Sequence, residues 1–214
     1  MKLFDIEQKM KEWKPGVIGG RKDCSVLIPL VERKDGLHLL FERRSSQMKT
    51  QPGDVCFPGG RMEAGETAVE CALRETEEEI GIPADRIRIL GQFDSLYEVS
   101  SLTMNTVAGA IQEEDLQLLK LNPAEVDQVF TVPLRFFLET EPMIYDYDVV
   151  QKVEEFPYEA AGIRSDYRWR VGKKRAYIFH YGAGEDRQII WGLTARIALW
   201  FAEKMAENQS AEEK

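Results

Sequence analysis

Hydrophobic and polar positions along the chain fall into stretches of two different periods. From Val26 to Val31 the run VLIPLV is apolar throughout, as a strand covered on both faces requires. Comparable runs and alternations predict strands over 25–31, 37–44, 54–57, 86–93, 105–111, 128–132 and 176–181. Two other stretches repeat every three or four residues. Val69, Ala72, Leu73, Thr76 and Ile80 form one apolar stripe and predict a helix over 67–80. Thr67 and Glu70 have the spacing of a capping box at its start, and Gly81 and Pro83 end it. Ile190, Leu193, Ile197, Trp200, Phe201 and Met205 predict a second helix over 188–206, whose aromatics are better explained by core packing than by a cofactor. Leu3, Ile6, Met10 and Trp13 predict an amphipathic helix over 3–13, inside an N-terminal helical extension covering 1–20. The last residues, 207–214, are expected to fray. Strands and helices alternate with no internal repeat, and a chain of 214 residues supports one α/β domain over 1–214.

Composition narrows the function classes. The chain is 43% hydrophobic and 30% charged, which excludes wholesale disorder. No apolar run approaches the roughly 18 residues of a membrane span. Asp5 and Glu7 stand where a signal peptide carries its apolar centre. Cys24, Cys56 and Cys71 are odd in number and widely spaced, as for reduced thiols. A cytoplasmic location is therefore expected. His38 and His180 leave little for an imidazole metal cage. The net charge of -9 argues against nucleic acid as a partner.

That charge is unevenly spread. Glu63, Glu66, Glu70, Glu75, Glu77, Glu78 and Glu79 are opposed over seventeen residues only by Arg74. At about 100° per residue, Glu75, Glu78 and Glu79 share one arc of the predicted helix, while Glu70 and Glu77 point elsewhere. A solvated face would intersperse lysines at these spacings. A hard divalent cation such as Mg²⁺ or Mn²⁺ accounts better for carboxylates packed without them.

From Gly60 onward the spacing is Gly, five residues, Glu66, seven residues, Arg74-Glu75, two residues, Glu78-Glu79, one residue, Gly81-Ile82. This resembles the Nudix box, GX5EX7REUXEEXGU, with Thr76 at the one position where a bulky aliphatic residue is usual. The resemblance implies an α/β/α sandwich with a mixed β-sheet between helices, and a hydrolase of nucleoside diphosphates linked to another moiety. It implies Glu75, Glu78 and Glu79 as metal ligands, Glu66 as an auxiliary ligand, and Arg74 orienting a glutamate. Glu75, Glu78, Glu79 and Arg74 are thus the expected catalytic residues. The general base stays open among a box glutamate, Glu125, Glu113 and Glu114.

Upstream, LFERRSSQMKTQPGDVCFPGG (residues 40–60) resembles the second motif of the coenzyme A pyrophosphatases in that family, LLTXR(S/A)X3RX3GX3FPGG. Arg44, Ser45, Lys49, Gly59 and Gly60 are the expected substrate contacts. Phe41, Glu42 and Lys49 depart from the pattern, and Glu42 departs furthest, an acid in place of a small hydroxyl. The resemblance implies coenzyme A or an acyl derivative as substrate, giving 3′,5′-ADP and 4′-phosphopantetheine. Another pyrophosphate substrate such as ADP-ribose, and a non-catalytic binding domain, are the alternatives. Residues 139–175 are the least interpretable. RWRVGKKRAYIF reads as a hairpin turning at Gly172, whose interleaved aromatic and basic residues suit an adenine or ribose phosphate, a solvated hairpin or a homodimer contact.

Overall fold

The computed structural model describes residues 3–12, 22–98 and 102–212. Two parallel strands run through its centre, β1 (Lys22–Arg33) and β7 (Leu102–Ile111), in register from Lys22 opposite Leu102 to Val31 opposite Ile111. Antiparallel partners extend them on both sides. β2 (Gly36–Arg44) pairs with β1, β3 (Val55–Cys56) and β8 (Val126–Pro133), while β5 (Ile87–Gln92) and β6 (Leu96–Glu98) pair with β7. The short β4 (Gly59–Arg61) lies along the start of β1. The result is a mixed eight-stranded sheet with the path β3-β2-β1-β7-β5.

Its strands are apolar on both faces because both faces are covered. On one side Leu27, Val31, Leu40, Val107 and Ile111 pack against Ala68, Ala72 and Ile80 of α2 (Ala68–Ile80). On the other, Val26, Ile28, Leu30, Leu39 and Phe41 pack against Ala195, Ala198, Phe201 and Ala202 of α4 (Gly192–Glu212). Neighbouring residues in one strand thus serve opposite layers, and the α/β/α sandwich with its mixed sheet follows. Phe137 of the short α3 (Phe136–Glu139) stacks into the second layer beside Phe41 and Phe179.

Two expectations need correction. Residues 188–191 form a strand, β11 (Gln188–Trp191), and α4 starts only at Gly192. The run QIIW alternates between buried and exposed positions, but directly ahead of a helical pattern its period is indistinguishable from one more turn. Gly172 does not turn a hairpin. It opens the continuous strand β10 (Gly172–Tyr181), which pairs with β9 (Met143–Val149) on one side and β11 on the other, as a separate three-stranded sheet. α4 runs to Glu212. The N-terminal helix is α1 (Leu3–Glu12); none of its residues is buried, and Trp13 lies outside the described residues.

Candidate active site

The site is assembled where β4 passes the start of β1 and meets α2. α2 begins as its sequence directs: the Thr67 hydroxyl accepts from the Glu70 N–H, the Glu70 carboxylate accepts from the Thr67 N–H at 2.8 Å, and Gly81 ends the helix with φ of 75°. Glu70 is thereby consumed by the cap, and Glu77 accepts from the Ala84 N–H. Thr76 is fully buried, its hydroxyl donating to the Ala72 carbonyl at 2.6 Å, so a polar group on the apolar stripe is satisfied within the helix.

Gly59 and Gly60 bring backbone close against β1 and against a side chain of this helix, respectively. Gly59 has φ of 149°, and a Cβ there would stand 2.3 Å from the Ser25 carbonyl oxygen. Its N–H donates to Glu79 Oε2 at 2.8 Å. A Cβ on Gly60 would stand 2.4 Å from Glu75 Oε2. Both expected backbone contacts therefore lie directly on box glutamates.

Arg74 gathers the remaining acids. Its Nε and Nη2 donate to the two oxygens of Glu66 at 2.9 and 3.1 Å, and its Nη1 to Glu75 at 2.9 Å and Glu78 at 3.2 Å. Nη2 also donates to the Arg61 carbonyl, fixing the guanidinium against β4. The Arg74 hydrogen bonds, with one from the Glu63 N–H, hold Glu66 down at about 2. Glu75 is raised above the usual carboxylate range because its desolvation outweighs Arg74. Glu79, 5% exposed, is pushed up to about 9 by burial and then by the charge of Glu42.

Glu42 is the residue that sequence reasoning undervalued. It is 1% exposed, its Oε1 accepts from the Cys56 thiol at 3.3 Å, and its Oε2 has no hydrogen-bond partner. Burial raises it to about 7. The signal was present as an acid within an apolar strand, but its depth depends on β3 and β8, which pair with Glu42 from either side.

The other expected residues divide. Ser45 is buried and structural: its hydroxyl donates to the Pro123 carbonyl and its N–H to the Glu125 carbonyl at 2.7 Å. This ties the loop after β2 to the connector before β8. The same connector crosses the end of α2, where the Asn122 N–H donates to the Glu79 carbonyl and the Asn122 amide to Glu125 at 3.2 Å. Glu125 is thus among the charges acting on Glu42, Glu75 and Glu79. Glu113 is instead paired with Arg33 at 3.3 Å and Glu114 is exposed. Arg44 is partly buried with its Nε unpartnered, whereas Lys49 is exposed on the loop.

Among the described residues no three acids, thiols or imidazoles are gathered as they stand into a metal-coordinating group. The physical reason is that Arg74 occupies oxygens of Glu66, Glu75 and Glu78. The donor set of Glu66, Glu75, Glu78 and Glu79 nevertheless suits a hard divalent ion: all are carboxylate oxygens, an orphaned carboxylate oxygen of Glu42 is buried nearby, and Gly60 leaves Glu75 open space.

Comparison with known proteins places this arrangement. The NUDIX domain model matches residues 22–153. Nudix hydrolase 3 of Caenorhabditis elegans is 43% identical over 112 residues, 51% of this chain and 47% of that protein. A mouse protein named peroxisomal coenzyme A diphosphatase is 33% identical over 133 residues, 62% of this chain and 55% of its own length. The chain thus spans about half the length of these curated relatives. Among solved structures, a Nudix hydrolase from M. smegmatis, RenU, superposes with a TM-score of 0.47 at 20% identity, over 55% of this chain and 73% of that one.

Proposed function

The chain belongs to the Nudix hydrolase family, and from that premise we propose that it is a divalent-metal-dependent pyrophosphohydrolase of coenzyme A or its acyl derivatives, yielding 3′,5′-ADP and 4′-phosphopantetheine. The observation that carries the reading is the collection of Glu66, Glu75, Glu78 and Glu79 around Arg74 and the Gly59–Gly60 backbone. Nudix hydrolases generally use divalent metals; Mg²⁺ or Mn²⁺ held here by Glu75 and Glu79, with Glu78 and Glu66 beside them, would neutralise pyrophosphate charge and acidify a bound water.

The chain's own groups have separate tasks. Gly59 fixes Glu79 through its N–H, and Gly60 admits the Glu75 carboxylate to the backbone. Arg74 aligns three glutamates through a planar fork that lysine lacks. Glu125, close enough to act on Glu75 and Glu79, takes the proton from the attacking water. Arg44 and Lys49 receive the phosphates of the substrate, while Ser45 holds the loop that presents them.

The name of the mouse relative and the Arg44-Ser45 and Phe57-Pro58-Gly59-Gly60 pattern support coenzyme A. The buried Glu42 favours the second reading, a different nucleoside diphosphate derivative such as ADP-ribose. Cys56 and Cys71, which form no disulfide, fit a cytoplasmic site. No described helix is long and apolar enough to cross a membrane.

Product masses after incubating the protein with coenzyme A and Mg²⁺ or Mn²⁺ test substrate and scission site together. Glu75→Gln and Glu79→Gln should each lower turnover by orders of magnitude with unchanged circular dichroism. Brisk ADP-ribose hydrolysis beside inert coenzyme A sinks the substrate assignment. Equal background hydrolysis by wild type and Glu79→Gln on every substrate makes the domain a binder.

A further inference from the structure

Between the two sheets lies a cleft of about 750 Å³ that none of the box carboxylates lines. That volume is in the range of small-molecule sites. One wall is β9 and β10, whose two faces are sorted by strand alternation. One face carries an ion-pair ladder, Asp146 with Arg175 and Asp148 with Lys173. The other carries Tyr145 and Tyr147, with Lys174 opposite Tyr147 and Ala176 opposite Tyr145, and it faces the cleft. The two tyrosine rings are near parallel, 15° apart with centroids at 6.4 Å, yet they remain 66% and 41% exposed. Aromatic surface kept open inside a concavity is what a planar base stacks on.

The cleft is cationic and leads to the carboxylates. Lys174 of β10 and, from the opposite wall, Arg44 and Arg196 outnumber Asp54 and Glu98 in the lining. Glu98 bridges Lys174 and Arg196 and holds the two cations together. Arg44 has a buried Nε without a partner, a donor in want of an acceptor. Cys56 lines the cleft while its thiol donates to Glu42, and the chain reaches Gly59, which holds Glu79, three residues later.

We propose that this cleft binds the nucleoside half of the substrate, with an aromatic base against Tyr145 and Tyr147 and an anionic sugar phosphate near Lys174, Arg196 and Arg44. The assignment rests on the pyrophosphohydrolase reading and deepens it. The pyrophosphate then lies at the box glutamates, and the second half of the substrate points away from the inter-sheet cleft. β9 and β10, absent from the first expectations as a paired unit, become the specificity-bearing part of the fold.

The test is calorimetric titration of the full chain in magnesium buffer with adenosine 3′,5′-bisphosphate and, separately, with 4′-phosphopantetheine, using wild type and the double variant Tyr145→Leu/Tyr147→Leu. The bisphosphate should bind wild type and lose about tenfold in affinity in the variant, the effect of losing a base–aromatic stack. Phosphopantetheine affinity should not change, and KM for the substrate should rise with kcat nearly constant. Hydrogen exchange of wild type should show β9 and β10 protected by the bisphosphate, which decides the matter if the variant does not fold. Unaltered bisphosphate affinity without protection overturns the cleft, as does tyrosine-dependent binding of phosphopantetheine instead. Tyrosine-dependent nucleotide binding by a protein that leaves coenzyme A intact overturns the substrate and upholds the cleft.

Discussion

Gly60 and Glu75 show how a residue with no side chain governs one with a carboxylate. In Gly60→Ala the new methyl group meets only the flexible end of Glu75, so the fold should survive while the carboxylate is displaced. Misplacement of about 1 Å in such a site costs roughly 100-fold in rate, and kcat should fall by about that factor at a nearly unchanged melting temperature. Gly59→Ala should instead fail to fold, because its methyl group meets the Ser25 carbonyl and Val26 backbone at 2.3 and 2.6 Å. Soluble expression and melting curves of the two variants separate these outcomes. Glu42 makes an opposite prediction. An acid raised to about 7 in the folded state leaves stability highest below its ordinary value of 4.5 and lowers it as pH rises toward 7. Glu42→Gln should therefore stabilise the protein in EDTA at pH 8, by roughly 1–3 kcal/mol for relief of an unsatisfied buried group, with little effect at pH 5. Urea denaturation at both pH values measures it, and a difference independent of pH would refute the account. The shared arc of Glu75, Glu78 and Glu79 was legible because helical spacing alone fixes it. The burial of Glu42 was not, since it is set by strands distant in sequence.

At the scale of elements, α2 follows from local signals: a threonine cap, a glutamate three residues on, and a glycine in the left-handed region at the end. Thr67→Ala removes one acceptor of that reciprocal pair and should cost about 1 kcal/mol, read as a lower urea midpoint at unchanged slope. Because Glu70 loses its hydroxyl donor yet keeps the Thr67 backbone N–H, turnover at saturating metal should stay close to wild type. A large loss of turnover would mean that the cap also positions Glu66. Where elements were misread, the deciding force was tertiary. β11 is a strand because Ile178, Phe179, His180 and Tyr181 of β10 supply its ladder. β9, the run MIYDYDV, places acids at every second position, and only Lys173 and Arg175 across the ladder make those acids favourable in a strand. A long connection separates β9 from β10, and β11 runs directly into a helical pattern, so local patterning identified neither strand.

Over the whole molecule, the net charge of -9 and the raised carboxylates Glu42 and Glu79 combine into one linkage between protons, metal and stability. In the metal-free protein Glu42 and Glu79 retain protons up to about 7 and about 9, from causes led by burial and including the charges of Glu75 and Glu125. Unfolding releases those protons above pH 4.5, so stability declines from there toward pH 9. A divalent ion taken up by Glu75 and Glu79 competes with the same protons and binds only the folded chain. At free Mg²⁺ of 100 times its dissociation constant the gain is about 2.7 kcal/mol, which for a chain of this size raises the melting temperature by about 5–10 °C. The shift should be larger at pH 8 than at pH 5, where the ion must displace more of the protons that the buried acids hold. Melting curves in EDTA and in Mg²⁺ across this range measure the linkage directly. Equal shifts at both pH values, or the same shift in Glu75→Gln/Glu79→Gln, would show that the ion binds elsewhere and that the crowded acids are held by Arg74 alone.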